Sequence, residues 1–273
     1  MSRRLTVVAF HAHPDDEALF TGGTLARIAA EGHRTVLVTA TLGQAGLTGP
    51  AGPAGAAPAD LGARRRLELL AAARALGCTR VETLGYHDSG LHNEASGGPR
   101  FADVPVEAAA RKLAAILQEE RADVLTTYDP HGGYGHPDHV QVHRVGARAA
   151  ELAGTPRVLE ATVDRSKLRP VLAVLRAAGR LLPSLPLGPP STVFTDRAEL
   201  THAVDVREYL PQKRAALRAH ASQTEGGRGL RTVALLSRLP EPLFAAVCGR
   251  EWFVEPGRPA AGGLGDDILA GLR

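Results

Sequence analysis

Cysteine, methionine and aromatic residues are scarce in this chain of 273 residues. It has two Cys, one Met and one Trp, and aromatics make up 4% of it. Cys78 and Cys248 lie far apart in sequence, too few and too distant for a disulfide framework or a cysteine-rich zinc site. With so few aromatic rings, the core has to be built mainly from Leu, Val and Ala. No apolar run approaches the length of a membrane span. The basic start Met1–Arg4 precedes an apolar run, Leu5–Phe10, that is too short for a secretory signal. The cytoplasm is therefore the expected address. A formal charge of +3, with arginines dispersed rather than gathered in a tail, gives no electrostatic case for nucleic acid.

What is present is an alternation. Leu5–Phe10 is a β-branched, apolar run that reads as a buried strand. Residues 17–31 carry Leu19, Phe20, Leu25, Ile28 and Ala29 at helical spacing, and Gly32 suits the helix end. Strands are expected at 34–41, 80–84, 123–128 and 157–163, and helices at 61–76, 106–120 and 140–152. Such a pattern predicts an α/β fold, a Rossmann-like and mostly parallel sheet with helices on both faces. The C-terminal portion is less regular. Residues 166–182 read as helical, 182–190 as a proline-rich loop, 193–206 as one or two strands and 207–221 as a helix. Residues 43–60 are dominated by Gly, Ala and Pro and read as a loop beside whatever the sheet binds. The expected organisation is one domain over 1–255 and a weakly structured tail over 256–273.

The chemistry concentrates in two clusters. The first strand runs into His11-Ala-His13-Pro-Asp15-Asp16-Glu17, at the strand end where open α/β sheets bind ligands. A dinucleotide site would need a Gly-rich turn there, and this turn is bulky and acidic. The fourth expected strand runs into Asp129-Pro-His131-Gly-Gly-Tyr134-Gly-His136-Pro-Asp138-His139. Pro137 is placed to start a helix, with His136 near its N-cap and His139 in its first turn. Together the clusters offer a His/Asp/His set, and three protein ligands with an open position suit a catalytic zinc. Iron or cobalt would accept the same donors. Of Asp15 and Asp16, one carboxylate can ligate while the other takes a proton from water. His136, oriented by Asp138, is a candidate oxyanion donor. Each cluster alone also fits a capped helix start, with Asp15 or Asp16 as N-cap. Two such clusters after two strands make that coincidence far less economical. His143, one turn after His139, is a competing ligand. The other histidines, His11, His33, His87, His92, His131, His202 and His220, are expected in structural, surface or supporting positions.

At these residues the chain resembles the LmbE-like, or PIG-L, family of zinc-dependent N-acetylglucosaminyl deacetylases. The resemblance begins at Ala12-His13-Pro-Asp15-Asp16-Glu17 and continues through Arg65 and Glu68, Asp88-Ser89-Gly90, and the Gly-Gly-Tyr134-Gly-His136-Pro-Asp138-His139 segment. A further family-like stretch spans 213–223 and contains His220-Ala-Ser-Gln. The resemblance implies one zinc per chain on His13, Asp16 and His139, with Asp15 as general base. It implies His136, paired with Asp138, at the oxyanion or leaving amine, Tyr134 as a mobile active-site tyrosine, and Arg65 and Asp88 as sugar contacts. The implied activity is metal-dependent removal of an N-acetyl group from an amino sugar or its conjugate, such as the N-acetylglucosaminyl inositol of mycothiol synthesis. A small N-acylated amino sugar is thus the expected partner, nucleic acid and membrane are not, and self-association stays open. Many members carry Glu after the Gly that follows the second strand, where this chain has Gly43-Gln44. The departure touches substrate choice and spares the metal site. Residues 165–190 also look particular to this chain. Two other functional classes compete: a carbohydrate-binding protein that has lost catalysis, and a metal-dependent phosphoesterase. The full set of proton-transfer residues speaks against the first, and the single set of metal ligands against the second.

Overall fold

Thr6–His11 forms the first strand, β1, and every residue of it is buried. The structure, a computed structural model, describes residues 3–45, 58–90, 98–167, 193–224, 232–260 and 263–273. The expected 46–57 part of the Gly/Pro-rich loop and the expected helix and loop over 168–190 lie outside the described residues. β2 (Arg34–Thr41), β3 (Arg80–Tyr86), β4 (Val124–Tyr128) and β5 (Arg157–Thr162) join β1 in one sheet. β6 (His202–Asp205) and β7 (Arg250–Val254) complete it, in the order β3-β2-β1-β4-β5-β7-β6. The first five strands pair in parallel, and β7 is antiparallel to both β5 and β6. Ala9 and Leu37 pack into one apolar cluster, whereas their neighbours Val8, Phe10, Val36 and Val38 pack into the other. That period-two division is what a sheet covered on both faces requires.

Helices α4 (Val106–Glu120) and α5 (Pro137–Ala153) cover one face with Leu113, Leu117, Val142 and Val145. α2 (Gly22–Ala30), α3 (Pro58–Ala75), α6 (Leu210–Ala219) and α9 (Glu241–Cys248) supply Leu25, Leu69, Leu217 and Phe244 to the other. Two short helices, α7 (Ala221–Thr224) and α8 (Thr232–Arg238), link α6 to α9. Among the described residues, no helix is long and apolar enough to cross a membrane.

Three features differ from the sequence-based expectation. The helix expected over 17–31 is two helices, α1 (Asp16–Phe20) and α2, broken at Thr21. The amides freed by the break, those of Gly23 and Thr24, donate to the two carboxylate oxygens of Glu251 at 2.8 Å each. A Cβ on Gly23 would lie 2.4 Å from Val206, so only glycine permits this approach. In the region expected to hold one or two strands, β6 is a four-residue strand, and its neighbour β7 was not anticipated. Where a weakly structured tail was expected, Ile268 and Leu269 are buried in the core and Arg157 donates to the carbonyls of Ile268 and Ala270. Two apolar side chains and these hydrogen bonds dock a stretch whose composition is otherwise loop-like.

Candidate active site

Because β1 lies beside β4, the clusters that follow them meet at the C-terminal edge of the sheet. The chain order reverses between these two strands, the place where open α/β sheets form a ligand crevice. The sequence-based placement of both clusters at one mouth is therefore what the topology delivers.

After β1 the chain turns sharply. Asp15 occupies the N-cap position of α1 with φ 102°, a left-handed conformation unfavourable for a residue with a Cβ. Its side chain makes no capping hydrogen bond, so it is not spent on the helix. Asp16, one residue on, accepts a hydrogen bond from the His13 amide at 3.0 Å. Its Oδ2 lies 3.4 Å from His13 Nδ1 and 3.3 Å from His139 Nε2. Ligand bonds of 2.0–2.1 Å at tetrahedral angles separate neighbouring donors by about 3.3 Å. His139 is fully buried, and neither of its ring nitrogens has a hydrogen-bond partner among the described residues. An orphaned imidazole nitrogen facing a carboxylate oxygen at ligand spacing is the arrangement a bound cation satisfies. Tyr128 stacks on this ring at 4.6 Å and fixes its plane.

The opposite edge of His13 is also engaged. Its Nε2 lies 3.0 Å from Asp138 Oδ2 and 3.3 Å from Asp88 Oδ1. Asp138 is completely buried, and it accepts from the Ser89 amide at 3.0 Å and the Ser89 hydroxyl at 2.5 Å. The expected side-chain pairing of Asp138 with His136 is absent. His136 instead caps α5, its Nδ1 accepting from the Asp138 amide at 3.1 Å. That bond leaves the ring proton on Nε2, where a neutral imidazole can still donate. Burial, followed by the neighbouring His13 and His139, pushes His136 down to about 3, so it is held neutral. His13, His136 and His139 also form a mutually close trio, and His13, Asp88 and Asp138 another, so donors for a cation surround His13.

The remaining groups set the charge balance. For His13, burial opposes the charge, but Asp88, Asp138 and Asp16 outweigh it and hold the imidazolium form well above its usual range. Asp16 is held well below the carboxylate range, burial being outweighed by His139 and His13. Burial pushes the Asp15 carboxyl up to about 6, against the pull of Arg65, whose Nη2 lies 3.3 Å from Asp15 Oδ2. Arg65 is 3% exposed and also donates to the carbonyls of Gly43 and Pro14. Its hydrogen bonds thus go to the protein rather than toward an open pocket. Asp88 is buried, and its amide donates to Gln44 Oε1 at 3.3 Å, so the Gln that departs from the family pattern is tied to the site. Tyr134 is half exposed with its ring edge-on to His139 at 4.9 Å. His143 turns away, toward Glu160 and the Tyr128 carbonyl.

Sequence reasoning gave no role to Tyr128 or Ser89 and did not foresee the partnership of Glu17 with His220. The stretch containing His220 was noted, but nothing local to it points to a residue some two hundred positions earlier.

Comparison with known proteins adds three findings. The sequence model of the PIG-L family, described as GlcNAc-PI de-N-acetylase, matches residues 8–150. A Streptomyces griseus protein named 1D-myo-inositol 2-acetamido-2-deoxy-alpha-D-glucopyranoside deacetylase is 39% identical over 99% of this chain and 89% of its own. A protein of the same name from Acidothermus cellulolyticus is 38% identical over 100% of this chain and 96% of its own. Among solved structures, N,N'-diacetylchitobiose deacetylase from Pyrococcus horikoshii shares the fold with a TM-score of 0.59, at 22% identity, over 93% of this chain and 84% of its own.

Proposed function

The chain belongs to the PIG-L family, and on that footing we propose that it is a zinc-dependent N-deacetylase whose substrate is an N-acetylglucosaminyl inositol. The substrate follows from what its full-length relatives are named for. The observation that carries the chemistry is the buried His139, whose Nε2 has no hydrogen-bond partner among the described residues and faces Asp16 beside His13 at ligand spacing. His13, Asp16 and His139 would hold one zinc. Zinc bound there would supply Lewis acidity, bringing the pKa of a water in its reach to about 7 and polarising a carbonyl.

The protein's own groups divide the rest of the work. Asp15 accepts the water proton as the oxygen attacks the amide carbonyl. An ionisation near 6 leaves it deprotonated at neutral pH yet basic enough to take a proton. His136, neutral and with its proton on Nε2, donates to the oxyanion, and the Tyr134 hydroxyl is a second donor at the mouth. The proton taken by Asp15 then goes to the leaving nitrogen as the C–N bond breaks, giving acetate and the free amine. Asp138 orients His13 and Asp88 lines the crevice beside it, where a sugar hydroxyl would lie.

Measuring primary amine release from N-acetylglucosaminyl inositol, together with metal content, tests the reading. One zinc per chain is expected, with turnover lost on chelation and restored by zinc. Asp15→Asn should lower kcat by about a hundredfold or more. A chain that binds no metal, or an Asp15→Asn variant of undiminished turnover, defeats the assignment.

A further inference from the structure

Glu17 and His220 are both fully buried and lie directly behind the site, and no step of the proposed chemistry uses them. His220 Nε2 is 2.6 Å from Glu17 Oε1. The other carboxylate oxygen, Glu17 Oε2, accepts from the Asp15 amide at 2.9 Å. One carboxylate therefore links an imidazole at the end of α6 to the peptide that aims Asp15.

The geometry points to Glu17 and His220 as a positioning pair that holds Asp15 in its left-handed conformation and so keeps the general base aimed at the reacting water. The inference rests on Asp15 being that base, as proposed above. Three observations and one general argument support it. First, a residue with a Cβ at φ 102° needs surrounding bonds to over-determine it, and the Asp15 amide has its bond to Glu17. Second, the ring proton of His220 is assigned by elimination. Nδ1 is buried without a partner among the described residues, and a proton there would leave two acceptors facing each other at 2.6 Å. His220 therefore donates from Nε2 and fixes which way the Glu17 carboxylate turns.

Third, His220 is itself anchored on either side. Before it, Lys213 on α6 reaches the Leu19 carbonyl and the Glu251 carboxylate. After it, the amide and hydroxyl of Ser222 donate to the two oxygens of Glu68 on α3, at 2.9 and 2.6 Å. A donor clamped in this way can transmit position. Fourth, burying a carboxylate against an imidazole is a poor route to stability, because desolvation offsets most of the attraction. Arg65 completes the hold from the other side, through the Pro14 carbonyl and the Asp15 carboxylate.

The test uses the zinc-loaded enzyme with N-acetylglucosaminyl inositol and two variants of similar polarity but different reach. In His220→Gln the side-chain amide nitrogen falls where Nε2 was, and in His220→Asn it falls where Nδ1 was, short of Glu17. His220→Gln should keep kcat within about threefold of wild type. His220→Asn should lose roughly ten- to a hundredfold in kcat, with KM within about twofold and one metal per chain retained, as expected for a small misplacement of a reacting group. In an Asp15→Asn background, His220→Asn should change the residual rate less than about twofold, because nothing is left to aim. Equal kcat for the two His220 variants, or the same loss from His220→Asn in both backgrounds, overturns the positioning role. Loss of metal from His220→Asn also overturns it. Undiminished turnover by Asp15→Asn alone instead sinks the general-base reading. Should His220→Asn not fold, Glu17→Ala frees the Asp15 amide from the other end and is read by the same cycle.

Discussion

Asp138 Oδ2 lies 3.0 Å from His13 Nε2, while His13 Nδ1, across the ring, faces Asp16 Oδ2 at 3.4 Å. A carboxylate on one ring nitrogen fixes the tautomer and raises the basicity of the other, which is the usual support for a metal-binding imidazole. Asp138→Asn keeps one oxygen for His13 and the Ser89 amide, turns its nitrogen toward the Ser89 hydroxyl, and loses the charge. Zinc affinity should fall about ten- to a hundredfold, measured by competition with a chelator of known strength. Unchanged affinity would mean that Asp138 acts elsewhere.

Arg65 separates two roles by experiment. Its guanidinium draws the Asp15 ionisation down, opposing burial. Removing it in Arg65→Met should therefore raise that ionisation, and the acid limb of the kcat/KM profile should move to higher pH by about one unit. The Gly43 and Pro14 carbonyls also lose their donor, so Tm should fall. If Arg65 chiefly contacts sugar, the family-implied role, KM rises instead and the limb stays where it was.

Local patterns were legible in the sequence. The all-buried β1 and the β2 run buried from Thr35 onward read directly from β-branched runs, and His136-Pro137 announced the start of α5. Features settled by distant partners were not. The break at Thr21 depends on Val206 and Glu251, and nothing within residues 17–31 specifies it. β7 is a five-residue strand, Arg250–Val254, inserted antiparallel between β5 and β6, and its pairing is wholly non-local. The Asp138 error has a geometric cause. Residues two apart at a helix start point to different sides, so Asp138 turns from His136 toward His13 on the neighbouring strand's loop. His220 could be noted as a motif, but its partner Glu17 is visible only once α6 packs against α1 and α2.

Acid sensitivity should reside partly at the opposite edge of the sheet. Arg34, with Arg80 beside it, holds the half-buried Glu120 down to about 2, through contacts of 2.5 Å and 2.8 Å. A carboxyl depressed in the folded state stabilises above its unfolded ionisation, and that contribution disappears as pH falls through the folded value. Both guanidiniums are partly exposed, so screening limits the effect to about 1 kcal/mol at neutral pH. Glu120→Gln should lower the urea midpoint at pH 7, and the gap from wild type should narrow from about pH 4.5 downward. A gap that stays constant to pH 3 would show that charge is not what Glu120 contributes.

Asp129 governs the loop that carries Tyr134 and His136. It is fully buried: Oδ1 accepts from the amides of His131 and Gly133 at 3.0 Å each, and Oδ2 accepts from the Thr162 hydroxyl. On the outer side, the Phe194 amide donates to the Gly133 carbonyl at 2.7 Å, so the loop is held from both directions. Asp129→Ala leaves the buried Gly133 amide and the part-buried His131 amide without this acceptor, at a cost of about 1–3 kcal/mol for the buried one. Tm should drop, and kcat should fall well below wild type at temperatures where the variant stays folded, because His136 and Tyr134 lose their common support. Asp129→Asn retains one oxygen for both amides and can turn its nitrogen toward Thr162, whose hydroxyl then accepts. It should keep most of both quantities. Equal losses in the two variants, followed by thermal unfolding and by amine release, would show that the carboxylate's charge rather than its acceptor geometry holds the loop.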